Sequence, residues 1–129
     1  MAVDDWVVTA DHGGGYALRA GAMLLPAIIG RSGFIRAADK REGDGATPCG
    51  RWPVRAVYYR QDRVCCPPTK MACYQITADC GWCDDPKDKK NYNKLIKINK
   101  TVKHEKIYRK DGKYDLIIPI LHNTEKRIL

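Results

Sequence analysis

The stretch KREGDGATPCGRW at residues 40–52 is the most conformationally restricted part of the chain. Gly43, Gly45 and Gly50 can adopt positive φ angles at no steric cost. Pro48 fixes its own φ and has no backbone N–H to donate. The stretch therefore predicts a rigid, tightly turned loop.

The same loop contains two side chains that can hydrogen-bond the backbone locally. Asp44 and Thr47 both carry oxygens that accept from nearby N–H groups. The loop leads directly into residues 54–60, a predicted strand, so its geometry constrains how the neighbouring strands pair. Taken alone, these residues favour a structural turn without chemistry.

Short apolar segments with alternating character lie on both sides of this loop and predict further strands. The predicted strands are 6–9, 16–19, 23–29, 54–60, 71–77 and 114–121. Strands outnumber helices, so the sequence predicts a mainly β fold with minor helical content. The apolar segment 23–29 is expected to be buried.

The second half of the chain gives three more specific expectations. Residues 81–93 are dense in turn formers and predict a long ordered loop. Residues 94–106 have apolar positions at helical spacing, which also fits a basic amphipathic helix. The run 116–120 is apolar enough for a strand covered on both faces, while Pro119 favours a sheet edge or a bulge.

Length and composition are those of a globular protein, and the positive charge is unevenly distributed along the chain. The 129 residues suffice for one domain with its own core, and 44% hydrophobic and 29% charged residues are typical of globular proteins. No apolar run has the length of a membrane segment, and the acidic N-terminus does not resemble a signal peptide. The net charge of +8 is concentrated at residues 87–113, where eleven residues are basic and three are acidic.

Five of the six cysteines fall at positions 65, 66, 73, 80 and 83. Only Cys80-x-x-Cys83 has the spacing of a zinc-ligand pair, and no second pair accompanies it. The negative charge of Asp84 and Asp85 disfavours the thiolate that a dithiol redox motif requires. We therefore expect small buried thiols with at most one disulfide, and neither a metal site nor a cofactor.

Histidines and paired carboxylates are the remaining candidates for chemistry. The three imidazoles belong to His12, His104 and His122. No spacing commits any of them to a cysteine, so a Cys83–His104 nucleophilic pair is one hypothesis beside solvated surface histidines. Adjacent acids such as Asp84 and Asp85 can perform acid–base chemistry, and more often they cap turns.

A series of short motifs, taken in order, resembles the L,D-transpeptidase (YkuD-type) catalytic domain. The turn T-P-x-G followed by an aromatic residue is present as Thr47, Pro48, Gly50 and Trp52, and EGDGATP at 42–48 narrows the resemblance to one branch. The other matches are Leu25-Pro26, GRSG at 30–33, YRxDR at 59–63, GWCDD at 81–85, Asp88, Tyr92-Asn93, His104-Glu105 and YDL at 114–116. They span most of the chain.

The resemblance implies one β-sandwich-like domain over residues 1–129 that acts on peptidoglycan stem peptides in the cell envelope or periplasm. In this transferase family a cysteine thiolate attacks the carbonyl between an L and a D residue, and a thioester acyl-enzyme forms. The amine of a neighbouring stem peptide, or water, resolves it. A histidine activates the thiol, and backbone N–H groups stabilise the oxyanion.

No cysteine of this sequence matches the nucleophile of the family. The resemblance places that Gly-Cys motif, and the histidine before it, beyond the segment matched by residues 114–121. The chain ends at two apolar residues, Ile128 and Leu129, which would leave a sticky sheet edge. We therefore expect a C-terminally incomplete domain that is inactive by itself and holds no catalytic residue. The resemblance implies substrate-binding roles for Trp82, Asp84, Asp85, Tyr92, Asn93 and His104.

Two other functions stay open from the residues alone. The lysine-rich stretch, with Tyr92 and Tyr108 interleaved, fits a non-catalytic module that binds an anionic polymer of the cell wall or a nucleic acid. No nucleic-acid fold signature accompanies it, so nucleic acid is not the expected partner. The clustered cysteines fit a small thiol or zinc protein.

Overall fold

The computed structural model describes residues 5–98 and 101–122. Strands hold 35% of these residues and helix 3%, which confirms the mainly β prediction. The chain forms two compact units, Met1–Cys49 and Gly50–Leu129. The single L,D-transpeptidase-like domain over 1–129 stays a prediction, and Ile128 and Leu129 lie outside the described residues. Within the described chain, no helix is long and apolar enough to span a membrane.

The first unit is built on an antiparallel meander and a separate parallel strand pair. The meander has the order β1-β2-β3, and its strands are β1 (Trp6–Ala10), β2 (Tyr16–Ala20) and β3 (Met23–Ala27). The parallel pair consists of β4 (Phe34–Arg36) and β5 (Thr47–Cys49), and the only helical turn lies at Ala37–Asp39 in the described residues.

The sequence predicts a buried strand at 23–29, and the structure places an exposed one there. Met23, Leu24 and Leu25 are 57%, 63% and 43% exposed. The prediction of burial is wrong because β3 is an edge strand of a three-stranded sheet, and within the described residues it pairs only with β2. An apolar run shows that its side chains favour burial, but they are buried only where another sheet or helix packs against the strand.

The loop at 40–52 is as restricted as the sequence predicts. Positive φ angles of +80°, +67° and +143° are found at Gly43, Gly45 and Gly50. The Thr47 hydroxyl accepts a 2.8 Å hydrogen bond from the Gly30 N–H. The backbones at Gly30 and Gly45 lie so close that a Cβ on Gly30 would meet the Gly45 carbonyl oxygen at 2.2 Å.

Asp44 organises the interior of this loop. Its carboxylate accepts hydrogen bonds from the backbone N–H groups of Arg41 and Ala46 at 2.8 and 2.9 Å, and from Lys40 Nζ at 2.6 Å. The Lys40 hydrogen bond, followed by the two backbone bonds, holds the pKa of Asp44 well below its usual range. The predicted role of Asp44 as a local acceptor is confirmed.

The second unit contains two three-stranded sheets. In the first sheet, β6 (Ala56–Tyr59) lies between the parallel strand β7 (Ala72–Gln75) and the antiparallel strand β11 (Leu116–Ile117). In the second sheet, β8 (Cys80–Cys83) lies between the antiparallel strands β9 (Leu95–Lys97) and β10 (His104–Lys106).

Residues of both sheets meet in one apolar cluster. Ile76, Cys80 and Ile107 are at most 3% exposed. The partly buried side chains packed against them are Tyr58, Trp82, Leu95, Tyr108, Tyr114 and Ile117. Because side chains alternate along a strand, Cys80 and Trp82 face this core while Gly81 and Cys83 face the other side of β8.

Three expectations for the second half need correction or refinement. The first three residues of the predicted loop at 81–93 belong instead to strand β8. They form a strand because β8 pairs with β9 on one side and β10 on the other, and because Trp82 packs against the core. The helical alternative for 94–106 is wrong in its described part, since pairing with β8 makes β9 and β10 strands. Of the apolar run 116–120, only residues 116–117 form a strand. This strand, β11, lies at the edge of its sheet, which agrees with the edge position predicted from Pro119. Leu116 is 49% exposed, so coverage on both faces is wrong.

Candidate functional site

The second unit carries a groove of about 430 Å³. Strands β6, β7, β8 and β9 contribute to it together with residues near the end of the described chain. The lining consists of aromatic, apolar, amide and cationic side chains: Arg55, Ala56, Tyr58, Tyr74, Trp82, Asn93, Lys94, Leu95, Pro119 and Leu121. The volume of the groove lies within the range that ligand-binding clefts span.

Three aromatic rings form one wall of the groove. Tyr58 stacks on Tyr74 with ring centroids 5.2 Å apart, and it meets Trp82 edge-on at 5.6 Å. The parallel register of β6 and β7 makes Tyr58 and Tyr74 direct partners. Burial, and then the neighbouring Tyr74, raise the pKa of Tyr58. Its hydroxyl therefore stays protonated at neutral pH and can donate a hydrogen bond.

Trp82 and Asn93 are joined in this groove. The indole Nε1 of Trp82 donates a 2.9 Å hydrogen bond to Asn93 Oδ1. Asn93 has a φ of +60°, and its N–H donates to the Cys83 carbonyl at 2.8 Å. Asparagine tolerates this left-handed conformation better than most residues. The turn that follows β8 therefore closes back onto the strand at the groove.

Two cationic side chains, Arg55 and Lys94, also line the groove. None of the described residues that line it is acidic. Cations beside aromatic surfaces suit a ligand that combines carboxylates with apolar or planar groups. Among the described residues, the lining therefore combines two cations with aromatic and apolar side chains.

The other residues that the sequence selects lie outside the described lining of the groove. Tyr92 is 4% exposed, and its N–H donates to the Asp88 carbonyl at 2.8 Å, inside the turn at 84–93. Asp85 Oδ1 accepts from the Lys87 N–H at 3.0 Å, which confirms the turn-capping interpretation for this acid. Asp84 is half-buried, and its Oδ1 has no hydrogen-bond partner among the described residues.

His104 lies opposite Cys83 in the β8–β10 ladder. Its ring leans over Gly81, where a Cβ would meet His104 Cδ2 at 2.8 Å, and its Nδ1 lies 3.1 Å from the Val102 carbonyl oxygen. Cys83 is completely buried. A thiol without solvent access cannot reach a substrate carbonyl, so this pairing is structural.

The cysteines of β8 do not form a chelating or redox pair. A spacing of three residues on a strand places the thiols of Cys80 and Cys83 on opposite faces. All six cysteines are free thiols, and Cys80 and Cys83 are buried as expected. The prediction of buried thiols is wrong for Cys49, Cys65 and Cys66, which are exposed because they lie in connections or at a strand end rather than on a covered strand. In the described ranges, no three His, Cys, Asp or Glu side chains are grouped so that they could hold a metal ion.

Four cationic or aromatic residues of the groove are not among the residues that the sequence selects: Arg55, Tyr58, Tyr74 and Lys94. For the two tyrosines a signal is present, since both occupy alternating positions of predicted strands and a parallel pairing of those strands brings them together. No local signal identifies Arg55 or Lys94, because each resembles any other surface cation of a basic chain.

Comparisons of the chain with protein-family models, with curated proteins and with solved structures found no match.

Proposed function

We propose that this chain forms an L,D-transpeptidase-type domain whose second unit holds a peptidoglycan stem peptide in its groove. The motifs at 42–48 and 81–85 support the family, and a cell envelope or periplasmic location follows from it. A β-sandwich-like fold is part of the proposal. It is supported by the two small sheets of the second unit, which share one core.

The observation that carries the proposal is the contact between Trp82 and Asn93. Both residues come from motifs that the resemblance associates with substrate binding, and they meet in a groove through a 2.9 Å hydrogen bond. A stem peptide is an extended chain with carboxylates and small apolar side chains. Arg55 and Lys94 complement the carboxylates, and the wall of Tyr58 and Tyr74 covers apolar groups.

The proposal assigns substrate binding to this chain and no acyl-transfer step. Cys80 and Cys83 are buried, and no cysteine of the sequence matches the family's nucleophile. In the family the thioester chemistry belongs to a different motif. A purified chain is therefore expected to bind muropeptides without cross-linking or trimming them.

Titration with a soluble disaccharide tetrapeptide, followed by two-dimensional NMR, tests the proposal. We expect saturable shifts of the Trp82 indole signal and the Asn93 side-chain amide. The same ligand with amidated carboxylates should bind more weakly, because its charge no longer complements Arg55 and Lys94. Absence of saturable binding by the tetrapeptide would overturn the proposal.

A matched pair of charge reversals separates the groove from the general basicity of the chain. Lys94→Glu removes a groove cation and should weaken tetrapeptide binding about tenfold, equivalent to about 1.4 kcal/mol. Lys89→Glu changes the net charge equally at an exposed position outside the described lining. It should leave the affinity nearly unchanged. Equal losses would mean that no specific groove contact is made.

A second candidate is a non-catalytic module for anionic polymers. Exposed lysines at positions 87, 89, 103, 106 and 110 favour it, because they present a dense positive surface. Such binding would fall steeply with salt for oligonucleotides or polyphosphate, and it would respond equally to Lys94→Glu and Lys89→Glu. For the remaining alternative, a zinc protein, metal analysis before and after chelation is the direct test.

A further inference from the structure

One face of the β1-β2-β3 meander is apolar at every position. The antiparallel register places nine side chains on this face, in three rows that run across the sheet. The first two rows, in the order β1-β2-β3, are Trp6, Ala20, Met23 and Val8, Leu18, Leu25. The third row is Ala10, Tyr16 and Ala27. The opposite face of the sheet is mixed, since it carries Thr9 and Arg19.

Much of this apolar face is open to solvent. Trp6 is 61% exposed and Val8 is 40% exposed, and Met23 and Leu25 on the same face have comparable exposed fractions. Together these four side chains present an apolar patch on the order of 400 Å², a size at which patches on soluble proteins are often interaction sites. A sheet with one apolar face is stable when a second layer covers that face.

The two end rows of the face have opposite patterns of side-chain size. In the first row, large side chains flank Ala20, whereas in the third row alanines flank Tyr16. A two-fold axis that runs across the strands would place the first row of one copy over the third row of a second copy. Ala20 would then lie over Tyr16, and the large side chains beside Ala20 would lie over alanines. Large residues facing small ones allow two sheets to interdigitate. The face is therefore complementary to itself.

The charge of the first unit also favours a second copy over an anionic partner. Residues 1–49 contain five basic and six acidic side chains, so this unit is close to neutral although the chain carries a net charge of +8. No charged side chain lies on the apolar face. Two such faces can approach without like-charge repulsion, whereas an anionic polymer is attracted to the lysine-rich residues 87–113.

We propose that two copies of the chain form a dimer by packing the apolar faces of their meanders against each other around this two-fold axis. With the surface around the patches, the interface buries a total on the order of 1,000 Å², which is the lower limit for a specific protein–protein interface. The dimer is therefore weak and reversible. The proposal does not depend on the function proposed for the second unit.

Sedimentation equilibrium of the full chain, from about 5 µM to about 1 mM, tests the proposal. We expect the average mass to rise from 14.6 kDa toward twice that value and to fall again on dilution. A mass that stays at 14.6 kDa throughout, or that grows past the dimer without a plateau, would overturn the proposal.

Two adjacent leucines of β3 provide a matched pair of variants. Leu25→Glu places a carboxylate in the interface and should keep the chain at the monomer mass. Leu24 is 63% exposed and lies on the opposite face of the same strand, so Leu24→Glu should dimerise as the native chain does. Dimerisation of Leu25→Glu at native strength would show that another surface, such as a strand edge, is used. An equal loss in both variants would show that added charge alone prevents association, and either result contradicts the proposal.

The two-fold arrangement has a test of its own. The middle row of one copy meets the middle row of the other, so Leu25 faces Leu25 of the second copy. Leu25→Glu and Leu25→Lys should each be monomeric, and an equimolar mixture should recover the dimer mass because opposite charges then meet. A mixture that stays monomeric would exclude this arrangement. Circular dichroism confirms that each variant is folded, and the concentration dependence of the native chain is decisive without any variant.

Discussion

The Trp82 indole and the Asn93 side-chain amide, eleven residues apart, are joined by a 2.9 Å hydrogen bond that closes the turn after β8 onto the groove. Asn93 contributes in two ways: its side chain accepts this bond, and its backbone adopts a φ of +60°. The two contributions can be separated by substitution, because glycine favours the backbone conformation and lacks the amide.

Asn93→Gly removes the hydrogen bond and keeps the left-handed conformation. We expect it to lower the free energy of unfolding by about 1 kcal/mol, the usual contribution of one hydrogen bond. Asn93→Ala should cost about 1 kcal/mol more, since a Cβ without a local hydrogen bond disfavours positive φ. Urea denaturation measures both values, and equal losses would show that the backbone conformation carries no strain.

The ion pair between Arg60 and Asp62 is expected to make the folded chain less stable in acid. Arg60 is 4% exposed and donates two hydrogen bonds to the Asp62 carboxylate, which lowers the Asp62 pKa to about 2 from 3.8. A depressed folded-state pKa contributes stability above pH 3.8 that is lost as the pH falls through 2. Thermal unfolding at pH 5 and pH 2 should therefore show a smaller decrease for Asp62→Asn than for the native chain.

Asp111 is a second carboxylate that is expected to contribute to the same loss of stability in acid. Arg109 hydrogen-bonds its carboxylate, which also lowers the Asp111 pKa to about 2. Both groups lose their contribution in the same range, so Asp62→Asn should flatten the pH profile in part and the double variant Asp62→Asn/Asp111→Asn should flatten it further. If the single variant kept the full native slope, the assignment to Asp62 would be wrong.

Gly81 and His104 are predicted to be energetically coupled. A Cβ on Gly81 would lie 2.8 Å from His104 Cδ2, so Gly81→Ala should destabilise the chain by about 2 kcal/mol through overpacking. His104→Ala removes the obstructing ring. The double variant should therefore be little less stable than His104→Ala alone, with a coupling energy of about 1 kcal/mol or more. Additive losses in a double-mutant cycle would contradict the contact.

Two glycines of the first unit should respond very differently to alanine. In Gly30→Ala the new Cβ would collide at 2.2 Å with the Gly45 carbonyl oxygen, which also accepts a hydrogen bond from the Ser32 N–H. We expect a loss of about 3 kcal/mol, because neither backbone can move without breaking the loop. The measurement is hydrogen exchange of amides in β4 and β5.

Gly21→Ala is the control for Gly30. Gly21 has a φ of +60°, and a Cβ there would have no atom within 4 Å. Only the backbone strain remains, so the expected loss is about 1 kcal/mol. Similar protection in both variants would show that the close approach of Gly30 to Gly45 is not maintained in solution.

The site was predictable in part. Sequence motifs select Trp82 and Asn93, and the structure brings both into the groove. The motifs also select Asp84, Asp85, Tyr92 and His104, which lie outside the described lining of the groove. Asp85 caps a turn, Tyr92 is buried, and His104 lies in the β8–β10 ladder. A motif identifies neighbours along the chain, whereas a groove collects residues from several strands, and Tyr58 and Tyr74 become neighbours only through the β6–β7 register.

The sequence by itself determined the features that depend on local sterics and hydrogen bonding. These are the positive φ angles of Gly43, Gly45 and Gly50, the acceptor role of Asp44, and the mainly β character of the chain. Only the tertiary structure decided that residues 81–83 belong to strand β8, that β3 is exposed, and that Tyr58 and Tyr74 stack in the groove. Those outcomes depend on strand pairing and layering between distant segments, which a local pattern does not encode.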